Sequence, residues 1–218
     1  ARFIQLLHQN DTKGFGTLHF LDAMIVALSR SLFGLTESEA ACVSILLFET
    51  WKLISKWRYD DSIFASEVEG KPGSFMVFKE EGGECLRALS RVEFETLYNK
   101  WHAAIGATCL GCLKSSEYMH LRNCLVVLTR MVVVYPTRPR FANKLIKALE
   151  PLQEESNSLA DIRASAQAYN MQLIKARDDG VWKEEDAATI KARVARGEAA
   201  AAERHKKAEE QMAEIQRD

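Results

Sequence analysis

Two cysteines two residues apart, Cys109-Leu110-Gly111-Cys112, form the spacing in this chain best suited to chemistry, because such a pair serves thiol–disulfide exchange or half a zinc site. Their surroundings argue for neither. From Phe94, the positions Leu97, Tyr98, Trp101, Ile105, Cys109 and Cys112 recur every three or four residues and trace one apolar stripe of a helix. Cβ atoms three residues apart on a helix lie roughly 5–6 Å apart, whereas an unstrained disulfide wants about 3.5–4.5 Å. A redox pair of the thioredoxin type opens a helix after a strand, where the dipole lowers the thiol pKa. Zinc needs a second ligand pair, and His102, His120 and Cys124 supply no recognised spacing. The thiols are expected to be buried packing residues, with no metal and no cofactor. Cys42 and Cys85 complete an odd set of five without a disulfide framework, which predicts a reducing compartment.

Other chemical signals fail on inspection. Gly70-Lys71 continues into Pro72 where a phosphate loop needs Ser or Thr, and Lys13-Gly14-Phe15-Gly16 lacks the third glycine and preceding strand of a dinucleotide site. A nucleophile with its base, or a working carboxylate pair, is not arranged anywhere. His102 follows a core tryptophan and His120 stands near Arg122 at a helix start, where capping or packing accounts for it. The chain is read as no enzyme.

Charge is more informative. Lys114, Arg122, Arg130, Arg138, Arg140, Lys144 and Lys147 face one acid, Glu117, in a segment of a chain whose net charge is -1. Between Thr36 and Cys85, ten acids stand against five bases. Such segregation suits docking of partners by complementary charge. The same basic residues also suit an RNA backbone, though no interleaved aromatics offer base stacking, and a plain solvated face is the third reading.

These residues need elements to hold them, and the pattern is helical throughout. Thr36-Glu37-Ser38-Glu39 and Ser90-Arg91-Val92-Glu93 are capping boxes that open two long helices. Val43, Leu46, Leu47, Trp51, Ile54 and Trp57 mark the buried face of the first. Thr17 to Leu32 reads as a helix ended by Gly34, and Arg2 to Gln9 as the tail of another. Ser115 and Ser116 separate the cysteine helix from the next, which stops at Tyr135-Pro136. That helix is apolar almost all round toward its end and should be buried on several sides. Pro139 suits a first helical position, Pro151 should kink or end the same helix, and Ser158 to Asp161 start one more. No run shows hairpin alternation with turn chemistry. From Arg58 to Leu89 a glycine-bearing insertion breaks the rhythm, with Phe75 to Phe78 read as an apolar plug folding back on the helices.

The expected fold is all-α, an antiparallel helical array of α-solenoid (ARM/HEAT-like) type with a protruding C-terminal helix. Residues 1–177 form the scaffold domain, with the irregular insertion at about 58–89, and 178–218 a charged extension rich in Ala, Glu, Lys and Arg. From Lys175 to the end, ten bases balance eleven acids, so the extension reads as a solvated helix. No apolar run reaches the about 18 residues of a membrane span, and no signal-peptide pattern opens the chain, which is read as intracellular. Both ends look cut from something longer.

Four stretches carry a resemblance: "FETWKLISKW" (Phe48 to Trp57), "PGSFMVF" (Pro72 to Phe78), "YNKWHAAIGATCLGCLKSSEYMHLRNCLVVLTRMVVVYP" (Tyr98 to Pro136) and "IRASAQAYNMQL" (Ile162 to Leu173). Together they resemble the C-terminal region of the large scaffold subunit of the THO complex, most specifically around Trp101, His102, Glu117, Tyr118, His120, Arg122, Asn123, Leu128, Thr129 and Tyr135-Pro136. The resemblance implies a nuclear, non-enzymatic helical subunit of an assembly that couples transcription to packaging and export of messenger RNA. Its implied partners are the other THO subunits, a DEAD-box RNA helicase and export adaptors. Nucleic-acid binding in that family is attributed to a basic, disordered tail, and the charge-balanced end of this chain departs from it. The expected function is therefore a TREX-type scaffold that docks proteins; the alternative is an RNA-binding module using residues 114–147 and the C-terminal helix.

Overall fold

A computed structural model describes residues 1–80, 83–155, 159–183 and 187–215; the side chains at 78–80, 83, 84, 187, 205, 208, 209 and 211–215 lie outside that description. The helices are α1 (Arg2–Gln9), α2 (Thr17–Ser31), α3 (Glu37–Tyr59), α4 (Asp61–Glu67), α5 (Arg91–Leu113), α6 (Tyr118–Met131), α7 (Pro139–Gln153), α8 (Ala160–Asp178) and α9 (Ala187–Ile215). Two strands, β1 (Phe75–Glu80) and β2 (Gly83–Ala88), follow a short 3-10 turn at Pro72–Ser74.

Local chemistry sets the helix limits. Both capping boxes are formed: Thr36 and Glu39 exchange side-chain and backbone hydrogen bonds at the start of α3, as Ser90 and Glu93 do at α5. Glu93 also takes two hydrogen bonds from the Arg87 guanidinium, at 2.6 and 2.9 Å, and these lower its pKa to about 2. Its stabilising contribution is complete above the ordinary carboxylate value and fades as pH falls toward 2. Replacing Glu93 by alanine is expected to cost about 1 kcal/mol at neutral pH, read by urea unfolding. Pro139 occupies the first turn of α7, and Pro151 sits inside it three positions before Glu154 caps the helix, so the proline ends α7 rather than kinking its middle. Ser158 lies outside the described residues; Leu159 is the N-cap of α8.

Packing defines two layers. Contacts join α2 to α5 and α5 to α7 in one, α3 to α6 and α6 to α8 in the other, with α5–α6 and α7–α8 linking them. α6 thus meets α3, α5 and α8, which is why Leu121, Cys124, Leu125, Val127, Leu128 and Met131 are all buried. Val133, beyond the helix end, is instead exposed. Trp51, Tyr98, His102 and Tyr135 form the aromatic centre, with Trp51 5.1–5.8 Å from each of the other three rings. Gly106 gives the close approach beside them: a Cβ there would stand 2.7 Å from a Phe141 ring carbon and 2.9 Å from the Tyr135 hydroxyl.

Two expectations change. The apolar run at Phe75 is a strand of a hairpin, not a plug: β1 pairs antiparallel with β2, Val77 opposite Leu86 and Met76 opposite Arg87. Alternation puts Met76 against the core and leaves Val77 and Leu86 exposed. The side chain of Phe78 is outside the described residues. Among its described side chains α9 is largely exposed, yet its inner face is moored. Arg193 is buried against Glu95, Arg196 pairs with Asp61, and Arg204 with Glu69. The acids that hold it lie 98 to 135 residues earlier, where a pattern confined to the helix could not reveal them.

Candidate docking surface

The structure separates the seven basic residues by use. Arg122 donates to Glu37 at 2.8 Å and to Asp161 at 3.4 Å, tying the starts of α3 and α8 to α6. Tyr118 reinforces that knot with a 2.6 Å hydrogen bond to Asp161. Arg138, capping α7, donates to the Asn99 side chain on α5. These two cations work inside the fold. Lys114 caps α5 and is exposed, as is Arg130 in the last turn of α6.

Arg140, Lys144 and Lys147 form the coherent part. Spaced four and three apart on α7, they share its solvent face, opposite the buried Ala142, Leu145 and Leu149. Lys144 lies 5.7 Å from the Phe141 ring centroid. α7 is held from behind by α5 and α8, so the row sits on a fixed helix. Arg130 belongs elsewhere, with Arg122 on a groove of about 550 Å³ between α3, α6 and α8, whose apolar side includes Leu125, Val126 and Ile162. Charge counting along the chain located the cations; it gave no hint of this groove, whose walls come from three separated helices.

The thiol pair has no exposed face. Cys109, Cys112 and Cys124 are fully buried, and the Cys124 thiol donates to the Cys109 carbonyl at 3.4 Å. Burial pushes the Cys124 pKa well up. A thiol reagent is expected to label exposed Cys42 rapidly and half-buried Cys85 more slowly, while the other three react only on unfolding. Mass spectrometry of the labelled chain checks this. His120 Nδ1 shares a 2.8 Å hydrogen bond with the Ser115 hydroxyl, and the ring meets Phe33 edge-on. His102 is enclosed at the aromatic centre, where its Nε2 accepts the Thr137 amide at 3.3 Å. Among the described residues, no cluster of His, Cys, Asp and Glu is placed to hold a metal, and no helix is long and apolar enough to cross a membrane.

A sequence model of the family Tho2, described as transcription factor/nuclear export subunit protein 2, matches residues 1–173. The chain belongs to the Tho2 family. Proteins of Homo sapiens and Mus musculus named THO complex subunit 2 are each 29% identical to it over 177 residues, covering 79% of this chain and 11% of their own length. The Arabidopsis thaliana protein of that name is 26% identical over 186 residues, covering 85% of this chain and 10% of its own. This Tho2-family chain thus spans about a tenth of these relatives. No solved structure matches it. The Tho2 match contains the whole basic set and the helices from α1 to α7, and it ends within α8, before α9.

Proposed function

We propose that this chain is a non-enzymatic scaffold module of a THO/TREX assembly in the nucleus, helping to couple transcription to messenger-RNA packaging and export by docking proteins. The observation that carries the reading is the Tho2 match across the two-layered body, residues 1–173. The row Arg140, Lys144 and Lys147 is its docking surface, because it is exposed, like-charged and fixed on a packed helix. Lys114 and Arg130 are exposed cations outside that row, whereas Arg122 and Arg138 hold the fold together. The other THO subunits are the direct partners, and the DEAD-box helicase and export adaptors belong to the same assembly.

The exposed cations also favour a second reading, contact with RNA. Fluorescence anisotropy with a single-stranded RNA separates the two. Docking by protein predicts no saturable binding at near-physiological salt. RNA contact predicts micromolar affinity that falls steeply with salt, at about 0.7 in log–log slope per phosphate neutralised, so Arg140→Glu/Lys144→Glu/Lys147→Glu would lower the slope by about 2. That outcome would replace the protein-docking reading.

A further inference from the structure

The contact beneath α9 has the form of a binding site that already holds an occupant. Three carboxylates on α4, α5 and the turn between α4 and the hairpin point one oxygen each toward α9. Glu95 gives Oε1 to Arg193 at 2.9–3.0 Å, Asp61 gives Oδ2 to Arg196 at 2.7–2.8 Å, and Glu69 gives Oε2 to Arg204. The remaining oxygens of the first two are held from the body side: Arg58 binds Glu95 Oε2 at 3.0 Å and Arg91 binds Asp61 Oδ1 at 3.0 Å. Arg91 itself is fixed by the Trp57 and Arg58 carbonyls at the end of α3. Glu95 and Asp61 are therefore oriented by the body.

What they bind has a defined pattern. Arg193, Arg196, Gly197, Ala200, Ala201 and Arg204 recur along one stripe of α9, three arginines with small residues between. The small residues allow a close approach: a Cβ on Gly197 would stand 3.2 Å from Cγ of Arg91. Yet the seam is not filled. A cleft of about 250 Å³ remains along it, with Phe64 and Leu89 facing Ala200 and Ala201. Only the Arg193–Glu95 pair is buried; the side chains of Arg196 and Arg204 are 69% and 50% exposed. Exposed ion pairs add little and are screened by salt, and alanine and glycine bury little apolar surface. α9 is thus matched to the face in charge while held loosely.

We propose that the acidic face formed by Asp61, Glu69 and Glu95 is a docking site for an arginine-bearing helix of a protein partner, with α9 as its resident, displaceable occupant. The partner helix presents guanidinium groups at the spacing of Arg193, Arg196 and Arg204 on a side otherwise made of small residues. The inference uses none of the seven basic residues, so its failure and that of the docking row on α7 are separate events.

The test uses the full chain and a fluorescein-labelled peptide of residues 187–208. Arg193→Glu/Arg196→Glu/Arg204→Glu expels the resident helix, and Gly197→Leu wedges it off Arg91 without changing charge. Each folded variant is expected to bind the peptide about tenfold tighter than the wild-type chain, since a resident occupant lowers apparent affinity by the fraction of open sites. Adding Asp61→Lys and Glu69→Lys to the first variant should abolish binding. In the unmodified chain, hydrogen exchange of α9 amides should quicken between about 50 mM and 0.5 M salt, while α3 and α5 stay protected. Equal peptide affinity for wild-type and folded variants, or α9 protection indifferent to salt, would overturn the proposal.

Discussion

Replacing Trp51 by alanine is expected to lower the unfolding free energy by about 3–5 kcal/mol and the Tm by about 10 °C or more. The indole is fully buried and stacks at a tilt on Tyr98, with the rings of His102 and Tyr135 edge-on at 5.8 and 5.3 Å. It projects from α3, in one layer, onto α5 in the other and onto the segment joining α6 to α7, so its removal opens a cavity where the layers meet. The surrounding rings are themselves anchored: Tyr98 shares a 2.8 Å hydrogen bond with Thr137, and Tyr135 donates to the His102 carbonyl. They cannot readily collapse into the space, which puts the cost in the upper range for aromatic truncation. Met171→Ala, at a position 66% exposed on α8, serves as the control and should change stability by less than about 0.5 kcal/mol. Urea unfolding of both variants checks the contrast, and a Trp51→Ala loss below that of a surface change would contradict the described core.

Acid is expected to destabilise the chain well before its carboxylates titrate, and His102 is the main cause. Burial, followed by the charges of Arg138 and Arg58, lowers its pKa to about 3. The unfolded chain takes up a proton near the ordinary value of about 6.5, and the folded chain does not until about pH 3. A depressed histidine therefore contributes its full stability above the unfolded value and loses it as pH falls. The loss is about 1.4 kcal/mol per pH unit, or about 2–3 kcal/mol by pH 4.5. His8, also lowered by burial and bonded to Thr17 and the Glu67 carbonyl, adds to the same slope. His102→Gln keeps an acceptor for the Thr137 amide and removes the titration. Urea unfolding between pH 6.5 and 4.5 should show a steep decline in the wild-type chain and a clearly shallower one in the variant. Parallel slopes would mean that His102 is not shielded as described.

Features written in adjacent residues were legible in the sequence. Both capping boxes, the stripe Leu47, Trp51, Ile54 and Trp57, and the burial of Cys109 and Cys112 depend on spacings within one helix, where a period of 3.6 is decisive. The hairpin was not legible. Phe75, Met76 and Val77 are consecutive apolar residues with Met76 packed inward and its neighbours outward, so the alternation that marks a strand was absent. Charge suffered from a different blindness. A count over residues 114–147 treats Arg122 and Arg138 as available, yet Glu37 lies 85 residues from Arg122 and Asn99 39 from Arg138. Partners brought together only by folding had already engaged them. The mooring of α9 failed to show for the same reason, since Glu95 stands 98 residues before Arg193. What survives folding as a surface is Arg140, Lys144 and Lys147, whose spacing lies within one helix.

The central claim, protein docking through that row, is tested most directly by titrating the purified assembly of the other THO subunits into this chain by calorimetry. The same titration is repeated with Arg140→Glu/Lys144→Glu/Lys147→Glu, whose fold is checked by circular dichroism. The account predicts that the wild-type chain binds and that charge reversal weakens binding about tenfold or more, with a salt dependence that shrinks in the variant. Unchanged affinity in the folded variant, or no binding by the wild-type chain, would contradict it.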